Sequence, residues 1–441
     1  MHYKKVLLLG NCYDGNLCEG VTTNSLFGNW PKEKLAAIGT VDHFPRDSVI
    51  GLYYCIGEEE YEYLFPLNYM FTIKSFGSRV IVPDKNAQQV NTNIKLIEKT
   101  RTTLFREIIK KWQRYILKRL DAQEVILKTK LSSGLIKWIS DYQPEIIYTI
   151  LGSLRSIRFA NNIADITGAS LVVHIMDDWP EIIHRGGLFS FYFRKRMKIE
   201  LKALFQKSKC RLVISQAMAD IYNKRYKIDF TPFHNSIEIS IWEQNRKTTW
   251  EAGSPFRILY TGGIGVAKLE SIVFFAEAIR RLNKKGLKVK LELVTANYNN
   301  PRISDINNPG VVELLPPVEH DDIPALLAGA DLLLLPIDFD KKSIRYTRYS
   351  MPTKVSEYMA SGTPVLVFAP EETAVFQYAS RENWALTIGK QDINIVMRTI
   401  TELYENEKTR KSLGQHAMAL ASRNHDSKKI RHEFDSLILD N

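Results

Sequence analysis

Short apolar runs alternate with longer amphipathic stretches along nearly the whole of this chain, and that alternation restricts its fold more than any other feature. A brief apolar run bounded by polar sequence reads as a buried strand of a parallel sheet, and the amphipathic stretch after it as the crossover helix. In the first half the runs are Val6–Gly10, Glu145–Thr149, Ser170–Ile175 and Arg211–Ser215. In the second half they are Arg257–Thr261, Lys288–Thr295, Val311–Leu315, Asp331–Pro336 and Pro364–Ala369, with helices such as Leu269–Asn283 and Lys354–Ser361 between them. Val49–Cys55, followed by the acidic Glu58–Glu62, reads equally as a hairpin or as a strand edge. The class is α/β. At 441 residues the chain exceeds what one core supports. The aperiodic stretch Ser236–Pro255 is the expected junction, so that 1–237 and 238–425 each have the size of one doubly wound, Rossmann-like domain.

A hydrophobic fraction of 45% with 25% charged residues excludes disorder and fibrous repeats. The four cysteines, Cys12, Cys18, Cys55 and Cys210, have no paired C-x-x-C spacing and read as reduced thiols. The apolar run Val6–Gly10 breaks at Asn11, too early for the core of a secretion signal. No apolar run approaches the roughly 18 residues of a membrane span. The expected location is the cytoplasm, peripheral to the inner membrane face.

The net charge of +11 is concentrated in two places. Residues 95–130 hold eleven basic and four acidic residues, and 185–211 hold nine basic residues with Glu200 the one acid. Both segments mix charge with large apolar side chains. Phe105, Ile108, Ile109, Trp112, Tyr115 and Ile116 recur at helical spacing among Arg106, Lys110, Lys111, Arg114, Lys118 and Arg119, and Leu188–Phe193 precedes Arg194-Lys-Arg196. A basic, aromatic-bearing amphipathic helix suits an anionic membrane surface. The alternative is a pair of sheet-packed helices with solvated basic faces. Nucleic acid is not an expected partner, because no RNP, zinc-finger or basic-zipper pattern is present.

Phosphate chemistry is written into the second half. Arg257–Lys268 reads as strand, glycine-rich turn and helix start, and Gly262, Gly263 and Gly265 let backbone amides approach anionic oxygens. Lys268 adds a full positive charge. Neither the dinucleotide fingerprint nor a Walker A loop fits this turn. The run Ser350–Val365 is sharper. Pro352 suits the first turn of a helix, the amides of Thr353 and Lys354 then point out of its positive end, and Glu357 lies one turn further in, where a carboxylate can accept from ribose hydroxyls. Gly362 ends that helix. Asp338-Phe-Asp340 has a spacing that can hold a hard cation, but an acidic loop is the preferred reading and no metal is expected.

These two elements, with Ala330-Asp331 ahead of an apolar strand, Ser215-Gln-Ala-Met218 and His234-Asn235-Ser236, make the sequence resemble the GT-B glycosyltransferases. Among them it is most similar to the retaining family 4 enzymes of bacterial surface-polysaccharide assembly. The resemblance implies two Rossmann-like domains facing a central cleft, with a last helix, about 426–439, crossing back to the first. It implies a nucleotide-diphosphate sugar donor in the second domain, a saccharide acceptor, lipid-linked, in the first, and no cofactor. Carried over, Lys268 contacts the donor phosphates and Glu357 is the second glutamate of the family's E-x7-E motif. The first glutamate falls at Tyr349, and Gly263 stands where many members carry arginine. Arg345 and Arg348 are candidates to supply charge to a donor or acceptor phosphate.

On the first-half side, Gly15 and Gly20 belong to a loop after the first strand, where α/β folds collect ligands. The strand 172–175 runs out into Asp177 and Asp178. These aspartates are the preferred polar contacts to the donor sugar or the acceptor hydroxyl. His174 is either a satisfied core histidine or a contact to the transferred sugar. Gly20 and Val318 complete the donor-binding set, and His174, Asp177, Asp178 and Lys268 the catalytic one. The other readings are a nucleotide-sugar epimerase of the same fold, and a non-catalytic subunit that binds a partner or a membrane.

Overall fold

The computed structural model describes residues 2–10, 18–40, 49–63, 78–81, 119, 127–296, 307–308 and 310–439. The chain forms two compact units. Unit 1 is Met1–Val213, Ala219–Phe233 and Arg431–Asn441, and unit 2 is Ile214–Met218 and His234–Ile430. The chain thus touches unit 2 at Ile214–Met218 and re-enters it at His234, and the aperiodic stretch 236–255 lies inside unit 2, where it includes helix Ile239–Asn245.

The strands are β1 (Val6–Leu9), β2 (Leu35–Gly39), β3 (Leu52–Cys55), β4 (Tyr61–Tyr63), β5 (Arg79–Ile81), β6 (Leu127–Thr129), β7 (Ile146–Ile150), β8 (Ser170–Ile175), β9 (Cys210–Val213) and β10 (Thr231–Pro232) in unit 1. Unit 2 contributes β11 (Phe256–Thr261), β12 (Val289–Val294), β13 (Val312–Leu315), β14 (Leu332–Pro336), β15 (Val365–Phe368) and β16 (Leu386–Ile388). The helices used below are α1 (Cys18–Leu26), α2 (Ser133–Tyr142), α3 (Leu154–Thr167), α4 (Ser190–Lys207), α5 (Gln216–Tyr226), α6 (Ile239–Asn245), α7 (Leu269–Lys284), α8 (Ile323–Ala328), α9 (Lys341–Thr347), α10 (Lys354–Ser361), α11 (Ala374–Glu382), α12 (Ile393–Glu405), α13 (Glu407–Asn424) and α14 (Ser427–Leu439).

Unit 1 is built on an eight-stranded sheet in the order β10-β9-β8-β7-β1-β2-β3-β5, parallel except for the antiparallel edge strand β5. The acidic run after β3 is neither a hairpin nor a plain edge. Glu58–Glu60 is a 3-10 turn leading into β4, which pairs antiparallel with β6. Glu60 is fully buried, and its carboxylate accepts from the Tyr54 hydroxyl at 3.0 Å, from the Gly57 amide at 2.8 Å, and from the Ser78 and Ser132 hydroxyls. Ser132 also accepts from the Leu135 amide and so caps α2.

Unit 2 is a six-stranded, wholly parallel sheet in the order β13-β12-β11-β14-β15-β16. Renumbered from its own start this is the 3-2-1-4-5-6 order of the Rossmann fold, and its topological switch point lies between β11 and β14. Strands β14 and β15 are buried at every residue, and β11 at all but Arg257, as a sheet covered on both faces requires. Phe275, Ile279, Ile258, Leu334, Phe368 and Ile400 are among the residues of the core that joins the sheet to α7 and α12.

Candidate active site

The turn after β11 opens beside the switch point, where a parallel sheet splays its carboxyl ends. Gly262 spends its amide on the sheet, donating to the Val294 carbonyl at 2.8 Å, and takes a φ of +123°. The Tyr260 hydroxyl donates to the Gly263 carbonyl at 2.8 Å, Ile264 is buried, and Gly263 and Gly265 are exposed. Of the three glycines, therefore, 263 and 265 form the exposed surface of the turn. Lys268 is the N-cap residue of α7, and the Asp338 amide donates to the carbonyl of Ala267 at 2.8 Å.

Helix α10 starts beside this turn. The Val355 amide closes a turn onto the Pro352 carbonyl at 3.1 Å, and Thr353 is the N-cap, in helical conformation and without a side-chain cap. Pro352 therefore stands one position ahead of the N-cap rather than inside the first turn. The Thr261 amide donates to the Tyr358 hydroxyl at 3.0 Å, which ties α10 to the end of β11. The side chain of Lys354 lies across Gly262. A Cβ built there would overlap its Cε and sit 2.9 Å from its Nζ. Glu357 is half-buried. Burial pushes its carboxyl above the ordinary range, and the charges of Lys354 and His320 oppose that rise. Gly262, Gly263, Lys354 and Glu357 are thus gathered around one turn and one helix start. Tyr260, Tyr358 and the charge of His320 belong to the same group and were missed at the level of sequence, because no local pattern marks a tyrosine that will brace a turn. Val318 is partly exposed in the loop ahead of the 3-10 turn His320–Asp322.

Other candidates are committed elsewhere. His174 is fully buried, its Nδ1 is hydrogen-bonded to the Tyr148 hydroxyl at 2.7 Å, and burial pushes its pKa down to about 3. It is the core histidine of the two alternatives. Asp178 is buried in a bidentate ion pair with Arg225, at 2.7 and 2.9 Å, and also accepts from the Tyr222 hydroxyl at 2.9 Å. Its carboxylate is engaged in holding α5 to the end of β8. Asp177 stays half-exposed beside it. Gly20 lies within α1 and not in a loop, and residues 11–17, including Gly15, fall outside the described residues.

Arg348 pairs with Glu372 at 2.7 Å, and its carbonyl accepts from the Ala374 amide, so it fastens the start of α11. Arg345 is exposed on α9. The two D-x-D carboxylates serve helix starts. Asp338 accepts from the Ser271 amide at 2.7 Å, and Asp340 caps α9 through the amides of Lys342 and Ser343. Asp331 likewise bridges the Gly253 and Arg257 amides at the entry of β11. Tyr349, at the place of the first motif glutamate, receives the Ser215 hydroxyl on its carbonyl at 2.7 Å.

Residues 255–406, about a third of the chain, match the family model described as Glycosyl transferases group 1. No curated protein matches the chain. Among solved structures, sucrose-phosphate synthase from Thermosynechococcus elongatus is similar with a TM-score of 0.58 at 10% identity, 99% of each chain being covered. The Anabaena protein HepE, solved in complex with UDP and glucose, has a TM-score of 0.57 at 13% identity over 100% of both chains. A UDP-forming α,α-trehalose-phosphate synthase from Burkholderia xenovorans has a TM-score of 0.56 at 12% identity, covering 99% of this chain and 98% of that one. At these identities the likeness is one of fold, the GT-B fold. The switch-point site lies within the matched segment 255–406, a glycosyl transferases group 1 domain, and the chain is a glycosyltransferase.

Proposed function

We propose that the chain is a retaining, metal-independent glycosyltransferase that takes its sugar from a nucleotide diphosphate and adds it to a lipid-linked saccharide in surface-polysaccharide assembly. The observation that carries the donor reading is the convergence of an exposed glycine turn, a helix start and the Lys354 side chain at the switch point of a parallel sheet. Such a site offers fixed dipoles and full charge to a diphosphate. The likeness to HepE, solved with UDP and glucose, favours the same donor class. In the reaction the bond from the anomeric carbon to the phosphate oxygen breaks. A glycosidic bond forms on the same face, and the acceptor proton passes to the departing phosphate. The protein's task is to stabilise charge growing on that diphosphate, which falls to Lys268 and the Thr353 and Lys354 amides. Glu357 is placed to accept from the ribose hydroxyls, and Asp177 is the remaining first-half candidate for the transferred sugar or the acceptor.

The lipid-linked acceptor and a station on an anionic membrane are supported by the surface of α4. Its inner face, Met197, Leu201, Leu204 and Phe205, is buried, while Leu188, Phe191 and Tyr192 are 78%, 81% and 58% exposed beside Arg194, Lys195 and Arg196. Aromatic side chains next to basic ones suit the interface of an acidic bilayer. The other basic segment, 95–130, lies outside the described residues except for 119 and 127–130.

Calorimetric titration with UDP, GDP and ADP, followed by acceptor-free hydrolysis of the matching nucleotide sugars, tests the donor reading. Binding of one diphosphate and slow release of its sugar with retained configuration is the expected result. Conversion to an epimeric sugar nucleotide would favour the epimerase, and no binding would overturn the site. Flotation with phosphatidylglycerol vesicles should show binding that weakens with salt and with Phe191→Ser. Salt-insensitive or absent binding would remove the membrane station.

A further inference from the structure

We infer that the side chain of Lys354, in addition to its backbone amide, is a phosphate-binding cation of the donor site, laid over the glycine turn from helix α10. This rests on the donor reading above and names the residue that would read its diphosphate. Three observations converge on it.

The first is the space at position 262. Gly262 is held at a φ of +123°, and any side chain there would collide with Cε of Lys354. The missing Cβ therefore does more than free the backbone. It leaves the channel through which the lysine reaches the turn. The second is direction. Side chains lean toward the amino terminus of their helix, so a lysine at the first position of α10 projects past the helix start, and its Nζ lies 2.9 Å from the Cβ position of Gly262, next to the exposed Gly263 in sequence. The Tyr260 hydroxyl, 3.6 Å from the same Cβ position, bonds the Gly263 carbonyl and holds the turn in place beneath the ammonium.

The third is charge. A cation in the first turn of a helix faces the positive end of the macrodipole and is unfavourable there unless an anion joins it. The carboxylate that feels its field, Glu357, lies further along the helix and is assigned to the ribose. A diphosphate on the turn would meet the ammonium of Lys354, that of Lys268 and the exposed amides together.

The experiment compares wild type with Lys354→Met, which keeps the aliphatic stem over Gly262 and removes the charge, and with Lys354→Arg. Affinities are measured by calorimetry for UDP, GDP and ADP and for the corresponding nucleosides, at two salt concentrations. The diphosphate that wild type binds should bind Lys354→Met about tenfold to a hundredfold more weakly. The nucleoside should bind both proteins within about twofold, and Lys354→Arg should retain most of the affinity. Equal losses for nucleotide and nucleoside would make Lys354 a packing residue. An unchanged diphosphate affinity in Lys354→Met would also overturn the inference while leaving the donor site standing. If wild type binds none of the three diphosphates, the donor reading falls and takes this inference with it.

Discussion

A carboxylate at the end of a strand reads the same whether it will meet a sugar or an arginine 47 residues away in sequence, and Asp178 meets the arginine. Removing one partner of a buried ion pair strands the other charge in a poorly solvating interior. Asp178→Ala should therefore lower unfolding free energy by about 3–5 kcal/mol in urea titrations, whereas a loss under about 1 kcal/mol would return the carboxylate to the list of substrate contacts. The buried imidazoles make a second, pH-dependent statement. His174 and His425 are each pushed down to about 3 by burial, and the charge of His234 adds to the effect on His425. The folded state thus resists protons that the unfolded chain accepts near pH 6.5, so stability is lost as pH falls from about 6.5 toward 3, by up to about 1.4 kcal/mol per pH unit for each ring. Asp435, raised to about 6 by burial, works in the opposite sense. The clean observable is hence the difference between wild type and His425→Gln, whose stability curve should be flatter by about one proton between pH 6 and 4. The turn and the helix starts that carry the candidates Lys268, Thr353 and Glu357 were legible because glycine turns and helix starts announce themselves locally. The engagement of His174 and Asp178 was not, since Tyr148 and Arg225 are distant in sequence.

At the scale of elements, local pattern and structure agree where a strand is long and branched, and part where it is short. β8 and α10 have the limits expected of them, and α7 runs one residue further. β2, a Leu-Ala-Ala-Ile-Gly run of low strand propensity, and the three-residue strands β5, β6 and β16 were not visible, because neighbouring strands and not their own sequences make them strands. Helix α10, which carries the candidate site, is held from behind by a contact of the same non-local kind. Gly362 ends it at a φ of +76°, and its carbonyl accepts from the Trp250 indole at 3.0 Å. Gly414 of α13 faces that carbonyl so closely that a methyl group would overlap it and lie 2.7 Å from the Trp250 nitrogen. By propensity alone Gly414→Ala should strengthen α13. Packing predicts the reverse, a loss of about 1–3 kcal/mol in thermal unfolding together with weaker nucleotide binding as α10 shifts. A stabilised variant would show that the two helices have room to separate.

For the whole molecule, the chain's last segment returns to the unit in which the chain began. From Arg431 onward α14 belongs to unit 1, where Phe434 makes edge-on contacts with Phe27, Tyr148 and Phe233, and where Lys4 donates to the Leu439 carbonyl. Phe434→Ala should leave a cavity among these rings and destabilise unit 1 by about 3–5 kcal/mol, seen as an earlier unfolding transition in calorimetry, with nucleotide affinity of the native protein unchanged. One coincident transition with an unaltered midpoint would count against that role. The sequence by itself determined the α/β class, the alternation of strand and crossover, and the placing of a glycine-rich turn and a helix start in the second half. Each of these follows from periodicity and turn chemistry within a few neighbouring residues. Only the tertiary structure decided which polar groups remain available for chemistry. Glu60, Asp178, Asp338 and Asp340 are taken up by amides, hydroxyls and an arginine, while Lys354 is laid on the turn. Those partners are chosen by long-range packing, and a buried polar group must be satisfied by whatever the fold brings beside it.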